Sequence, residues 1–335
     1  MKFIELKQHL QSLKLSITYV LYGEDDSVLE QANNLFKNLV DETFRDFNVV
    51  VFDVKETEPQ KVIDACNTMP LMAPYKVVVL NDRESKEDKK DAKETNLMQG
   101  KNSLNSLILN YLKEPNKTTI LVVNTNENSL LFNKLKTLAV MVDCNKLDSL
   151  TLKKIILNEC KKKKIQINDP EIIKLIDICG GYLGNIKSEL FKLASVCDSE
   201  ITMSDIDNNC QKNLEYTVFE LSESLSNKNT ERALAILDDM LSSPKNQPLI
   251  LPLISSHFRR LFMVATSTES SLNKASKLGV KEYAVQKSEA QARKFSKKKL
   301  MDITKLINES EFMVKSGKAG LKDTLYYIVL YILNS

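Results

Sequence analysis

Directly after the apolar run Ile17 to Tyr22 comes Gly23-Glu24-Asp25-Asp26-Ser27. A glycine between a strand and a helix is where nucleotide-binding chains place a phosphate loop, and the chemistry that follows is phosphoryl transfer. That loop needs G-x-x-x-x-G-K-[ST], with glycines so the backbone can close on the phosphates and a lysine for charge. Here a single glycine is followed by Glu24, Asp25 and Asp26. Those carboxylates repel a triphosphate but suit a helix N-terminus. The other glycine–lysine pairs fail as well: Gly100-Lys101 has Thr95 where the first glycine is required, and Gly317-Lys318 has Phe312. ATP hydrolysis is therefore not expected. Asp53, after Val50-Val51-Phe52, could mimic a metal-binding aspartate at a strand end, but no phosphate loop accompanies it.

The remaining reactive residue types form no catalytic pattern. His257 stands beside Arg259 and Arg260 without a nucleophile motif, and His9 belongs to no triad either. The six cysteines, Cys66, Cys144, Cys160, Cys179, Cys197 and Cys210, are scattered without a C-x-x-C pair. With only His9 and His257 to help, a zinc site is not expected. Reduced, mostly buried thiols of a cytosolic protein are the simple reading. No catalytic residue, cofactor or metal site is assigned. Basic clusters at Lys161 to Lys164, Arg259-Arg260, Arg293-Lys294 and Lys297 to Lys299 could hold phosphates nonspecifically. They also read as solvated helix ends.

One segment offers binding rather than chemistry. Met69-Pro70-Leu71-Met72-Ala73-Pro74-Tyr75 precedes the apolar run Val77 to Leu80. Pro70 disfavours helical geometry at Met69, so a helix ends there. Pro74 holds the chain extended into the next strand. Leu71 and Met72 sit on the stiffened turn between, either tucked under it as core or projecting as an anchor for a partner's pocket.

The elements that position these residues follow from apolar periodicity. Short runs apolar on both faces at Ile17 to Tyr22, Val49 to Val54, Val77 to Leu80, Thr119 to Val123 and Val140 to Val142 predict a parallel sheet covered by helices. Helical patterns alternate with them at Val28 to Val40, Pro59 to Asn67, Leu104 to Lys113 and Leu130 to Thr137. The mixed-charge stretch Arg83 to Glu94 reads as a solvated loop. After about Asp148 strand signals stop and helical patterns run to Leu333. The chain has 335 residues, which predicts two or three domains; 43% are hydrophobic and 27% charged, as in a soluble protein. A net charge of +3 argues neither for nor against nucleic acid. No signal peptide is visible, and the apolar stretch from Leu325 to Leu333 is too short to span a bilayer.

Taken in order, these pieces resemble the delta subunit family of the bacterial DNA polymerase III clamp loader. Tyr19-Val20-Leu21-Tyr22-Gly23-Glu24-Asp25 looks like the family's first strand and degenerate phosphate loop. Met69-Pro70-Leu71-Met72 before Val77 to Leu80 looks like its clamp-contacting corner. Glu114-Pro115 before Thr119 to Val123, Gly184-Asn185-Ile186 before Glu189 to Leu193, Thr217 to Leu221 and Phe258-Arg259-Arg260-Leu261 follow in the family's order. So do Leu278-Gly279-Val280, Gln291-Ala292-Arg293 and Lys315-Ser316-Gly317.

The resemblance implies an AAA+-like fold: an α/β domain with a degenerate nucleotide site (1–145), an all-helical lid (146–212) and an all-helical collar for oligomerisation (213–335). It implies a chain without catalytic activity of its own, inside a DNA-directed DNA polymerase holoenzyme, a nucleotidyltransferase. Its partners would be the sliding clamp (beta subunit), the tau/gamma ATPase subunits, delta-prime and primed DNA, with no membrane. The implied location is the cytoplasm, at a nucleoid-associated replisome. Leu71 and Met72 are the implied clamp-binding residues, Met72 standing where the family often has an aromatic side chain. Two rivals stay open: a standalone DNA-binding protein using the lysine clusters, and a diverged nucleotide hydrolase using Asp53.

Overall fold

The computed structural model describes residues 1–12, 15–83, 104–278 and 282–334. The chain divides into two compact units, Met1–Ile176 with Gly181–Asp207, and Asp177–Gly180 with Asn208–Ser335.

In the first unit five parallel strands form one sheet in the order β2-β3-β4-β1-β5. They are β1 (Thr18–Tyr22), β2 (Val49–Asp53), β3 (Lys76–Asp82), β4 (Thr119–Thr125) and β5 (Val140–Asp143). Every residue of β4 is buried, as are the first five of β3. Strands covered on both faces are apolar along most of their length, which is why Val77 to Leu80 and Ile120 to Val123 read as continuous runs, with the buried polar residues Lys76, Thr119, Asn124 and Thr125 at the strand ends. The edge strand β2 is only partly buried. The flanking helices are α1 (Phe3–Leu10), α2 (Asp26–Lys37), α3 (Arg45–Asn48), α4 (Pro59–Asn67), α5 over residues 104–111 and α6 (Leu130–Leu135). Val62, Ile63, Ile108, Leu131 and Leu135 from these helices pack with Val20, Val78, Leu80, Leu121 and Val123 of the sheet. The α/β reading of this half therefore holds. From residue 84 onward the charged stretch expected to be a loop lies outside the described residues, as does Gly100-Lys101.

Helices then take over, with α7 (Ser149–Lys162), α8 (Asp169–Ile178), α9 (Leu183–Val196) and α10 (Met203–Asn209). Two short strands absent from the sequence reading, β6 (Gln166–Ile167) and β7 (Glu200–Ile201), pair in parallel among them. Two residues are too few to leave an alternating pattern.

The second unit contains α11 (Leu214–Ser226), α12 (Thr230–Ser242), α13 (Gln247–Thr266), α14 (Ser271–Leu278), α15 (Glu282–Ala292), α16 (Lys297–Lys315) and α17 (Leu321–Asn334). Its core joins Leu221, Leu237, Phe258, Leu261, Ile303 and Ile328. Helix α14 was not among the helical patterns of the sequence reading; it is only eight residues long and Ala275 is its one buried side chain. Helix α13 is 20 residues long and apolar enough to cross a membrane by length and composition, yet Ile250, Ile254, Phe258 and Leu261 along it are buried in this core.

Candidate functional site

Helix α4 ends at Asn67, two residues before Met69, the position that Pro70 holds out of helical geometry. Thr68 is extended, and its hydroxyl donates back to the Asp64 carbonyl at 2.7 Å, closing the last turn. The chain beyond projects. Leu71 is 54% exposed, Met72 79% and Met69 76%. Between core and anchor, the geometry selects the exposed arrangement: neither Leu71 nor Met72 is packed under the turn.

The projecting turn is nonetheless held. The side chain of Asn48, fully buried at the end of α3, faces the backbone of Leu71. Its Oδ1 accepts from the Leu71 N–H at 2.7 Å, and its Nδ2 donates to the Leu71 carbonyl at 2.8 Å. The same Nδ2 donates to the Phe44 carbonyl at 2.9 Å. Met72 follows with φ +53°, a left-handed conformation that L-residues with side chains adopt rarely. Beside Asn48 in the chain, Phe47 is 63% exposed.

At the end of β1, Gly23 has φ +144°, and a Cβ there would stand 2.3 Å from the Cys144 carbonyl carbon. The glycine therefore permits a close backbone approach to the end of β5 rather than to a phosphate. The Cys144 N–H donates to the Tyr22 carbonyl at 2.7 Å, and the Glu24 N–H to Asn145 Oδ1 at 3.1 Å. Arg83 donates to the Gly23 carbonyl at 3.0 Å and pairs with Asp26. Asp25 is 1% exposed. Its Oδ1 accepts from Ser27 N–H at 3.1 Å and Val28 N–H at 3.3 Å, capping α2. Its Oδ2 accepts from Leu183 N–H at 2.8 Å, the first residue of α9. A protein carboxylate thus occupies the amide groups at the start of α2, which in a nucleotide-binding chain would face phosphate.

Two family models match this chain. The model described as "DNA polymerase III, delta subunit" matches residues 19–145, and "DNA polymerase III delta subunit, C-terminal domain" matches 215–332. The chain belongs to the DNA polymerase III delta subunit family. DNA polymerase III subunit delta of Bacillus subtilis (strain 168) is 26% identical over 328 residues, covering 94% of this chain and 91% of the relative. The solved structure of the Bacillus subtilis DNA clamp loader delta protein shares the fold. It superimposes with a TM-score of 0.61 at 24% identity, over 99% of this chain and 100% of that one.

The remaining candidates of this delta-family chain fall outside any common site. Asp53 ends the edge strand β2, three strand spacings (about 14 Å) from β1. Its carboxylate accepts from the Lys55 N–H at 2.8 Å, a local turn. His257 is buried, and its Nε2 lies 2.9 Å from Gln291 Oε1. Gln291 Nε2 donates onward to the Phe219 carbonyl, so Oε1 faces the imidazole and Nε2 of the neutral ring carries the proton. Burial, and secondarily the Arg260 guanidinium, pushes His257 down to about 3. It is a core histidine, as the missing nucleophile pattern implied.

Cys66, Cys144, Cys160 and Cys179 are buried, and burial pushes the Cys66 and Cys144 thiols up to about 12. Lys161 to Lys164 close α7 at its exposed end, with the Lys163 ammonium 4.6 Å from the centre of the Phe191 ring. Sequence reasoning missed Asn48 and the second partner of Asp25. Neither carries a local signal, because their bonds reach 23 and 158 residues along the chain.

Proposed function

We propose that this chain captures the sliding clamp (beta subunit) within the DNA polymerase III clamp loader and helps open the ring for loading onto primed DNA, without hydrolysing ATP. Leu71 and Met72 enter an apolar pocket on the clamp. The observation that carries this reading is their exposure, at 54% and 79%, on a turn whose backbone is fixed from behind by Asn48. Large apolar side chains on a rigid projection are the kind of group that concentrates binding energy. Met72 suits such a pocket because its unbranched thioether adapts to irregular walls.

Support for binding without chemistry comes from Asp25, which spends the donors at the start of α2 on an internal carboxylate. ATP-driven change would come from tau/gamma subunits, with delta-prime completing the hetero-oligomer. In this reading residues 1–145 carry the clamp contact, 146–212 form the lid and 213–335 the collar that joins the assembly. The complex works in the bacterial cytoplasm, at the nucleoid-associated replisome.

The test is titration of the chain with its cognate clamp, wild type beside Leu71→Ala/Met72→Ala. Each truncation removes about 2 kcal/mol, about thirtyfold in Kd, if its side chain is fully buried in the complex. Retained affinity in the folded double variant would move the contact elsewhere. Calorimetric ATP binding, or tight and steeply salt-dependent DNA binding by the isolated chain, would favour the rival readings.

A further inference from the structure

We infer that Asn48 is a positioning residue for clamp capture: it holds the Leu71–Met72 turn in its binding conformation before the clamp arrives. The inference rests on the reading of Leu71 and Met72 given above.

The turn has little else to define its backbone. Pro70 carries no N–H, and Met72 is left-handed. Leu71 lies between them, and the Asn48 amide bonds both its N–H and its C=O, at 2.7 and 2.8 Å. This two-point pairing imitates a strand neighbour, although no strand lies there. The amide orientation is fixed by its surroundings. Two carbonyls, Phe44 and Leu71, face Nδ2 and one N–H faces Oδ1, so a flipped amide would turn its oxygen toward both carbonyls.

Asn48 is itself held by a short scaffold between α2 and β2. Asp41 Oδ1 accepts from the Thr43 N–H at 3.0 Å and opens a single 3-10 turn, Glu42–Phe44. Arg45 ties α3 back to the end of α2, donating to the Val40 carbonyl at 3.2 Å and to Asn38 Oδ1 at 2.8 Å. Rigidity thus runs from α2 through Arg45 and Asn48 to a turn that exposes its apolar side chains to solvent.

A loose turn would have to be ordered on binding, and that ordering subtracts from affinity. Asn48 does the ordering within the free chain. No other residue type of this length both donates and accepts through a planar amide. Asp keeps the bond from Leu71 N–H but sets a carboxylate oxygen against two carbonyls. Ala removes all three bonds.

The experiment compares wild type, Asn48→Ala, Asn48→Asp and Leu71→Ala/Met72→Ala, all as the full chain. Clamp affinity and residue-resolved amide exchange are read for each. The expected result is about a tenfold loss of clamp affinity in both Asn48 variants, from the loss of at least two hydrogen bonds. Exchange should rise at Leu71 most in Asn48→Ala, which removes the acceptor of that N–H, while β2 and β3 stay protected as in wild type in both variants. Wild-type affinity in both Asn48 variants, beside a double variant that no longer binds, would overturn the role of Asn48 and leave the corner reading standing. Faster exchange across β2 and β3 as well as Leu71, with affinity falling only as the folded fraction falls, would reduce Asn48 to a fold-stabilising residue and also overturn it. Undiminished binding by the double variant would remove the corner reading itself, and this inference with it.

Discussion

Met72 separates what the fold needs from what the proposed clamp contact needs. Three residues other than glycine have positive φ among the described residues: Met72, Lys164 and Lys228. Lys164 and Lys228 each lie two residues past the last residue of a helix, α7 and α11, just after its C-cap, where a left-handed residue ends the hydrogen-bond ladder. Met72 ends no helix, because α4 already closed at Asn67 with Thr68 as its cap. A left-handed backbone costs about 1–2 kcal/mol for an L-residue with a side chain. Since the Met72 side chain is 79% exposed, core packing does not offset it. Asn tolerates this conformation better than most residues. Met72→Asn is therefore expected to leave thermal stability unchanged or raise it by up to about 1 kcal/mol. The same change should weaken clamp binding about thirtyfold, as removal of an apolar anchor does. A melting curve and a clamp titration on one sample read both. A variant that binds like wild type would show that Met72 is not an anchor, whatever its conformation.

At the scale of elements, one carboxylate serves two helices. The residue before α9, Tyr182, does not cap it with its side chain, and Asp25 supplies that acceptor from 158 residues away while also capping α2. The two helix starts meet closely: a Cβ on Gly184 would lie 3.1 Å from Ser27 Cβ, and Lys187 donates to Gln31 Oε1 at 2.8 Å. Asp25→Ala should destabilise the chain by about 3 kcal/mol, a charged cap being stronger than a neutral one and here shared by two helix ends. Urea unfolding measures this, and amide exchange at Leu183 should rise with it. A loss below about 0.5 kcal/mol would mean that water replaces the carboxylate at both ends without difficulty. The acids after Gly23 were legible in the sequence as helix-start residues, and short apolar runs placed all five strands, most plainly the central β1, β3 and β4, which are buried on both faces. Pro70 and Pro74 likewise announced the corner. What the sequence did not disclose depends on distant partners or on short pieces: the α9 contact of Asp25, the Asn48 bonds, the β6–β7 pair and the four-residue helix α3.

At the scale of the whole molecule, each compact unit has an apolar core of its own, one around Val20, Leu80 and Leu121, the other around Leu237, Phe258 and Ile303. The corner, Asn48 and Asp25 all belong to the first unit. Removing residues 213–335 should therefore leave the sheet, the corner and the proposed clamp contact in place, while removing the proposed collar. The cut is not free of consequence for α8, whose last residues group with the second unit. Asp177 loses its ion pair with Lys287, and the Ile178 carbonyl loses the Asn213 N–H that reaches it at 2.8 Å. Fraying of that helix end should lower the melting temperature without reaching β3, since the corner's own bonds run to Asn48 rather than to α8. Fragment 1–212 is thus expected to bind the clamp within about threefold of the full chain, a difference under 1 kcal/mol. It should also fail to co-purify with the ATPase subunits. Co-purification of this fragment would place the assembly contact in the first 212 residues and remove the collar role from the second unit. Loss of clamp binding by a fragment that still melts cooperatively would instead mean that the corner depends on the second unit, which its local bonding gives no reason to expect.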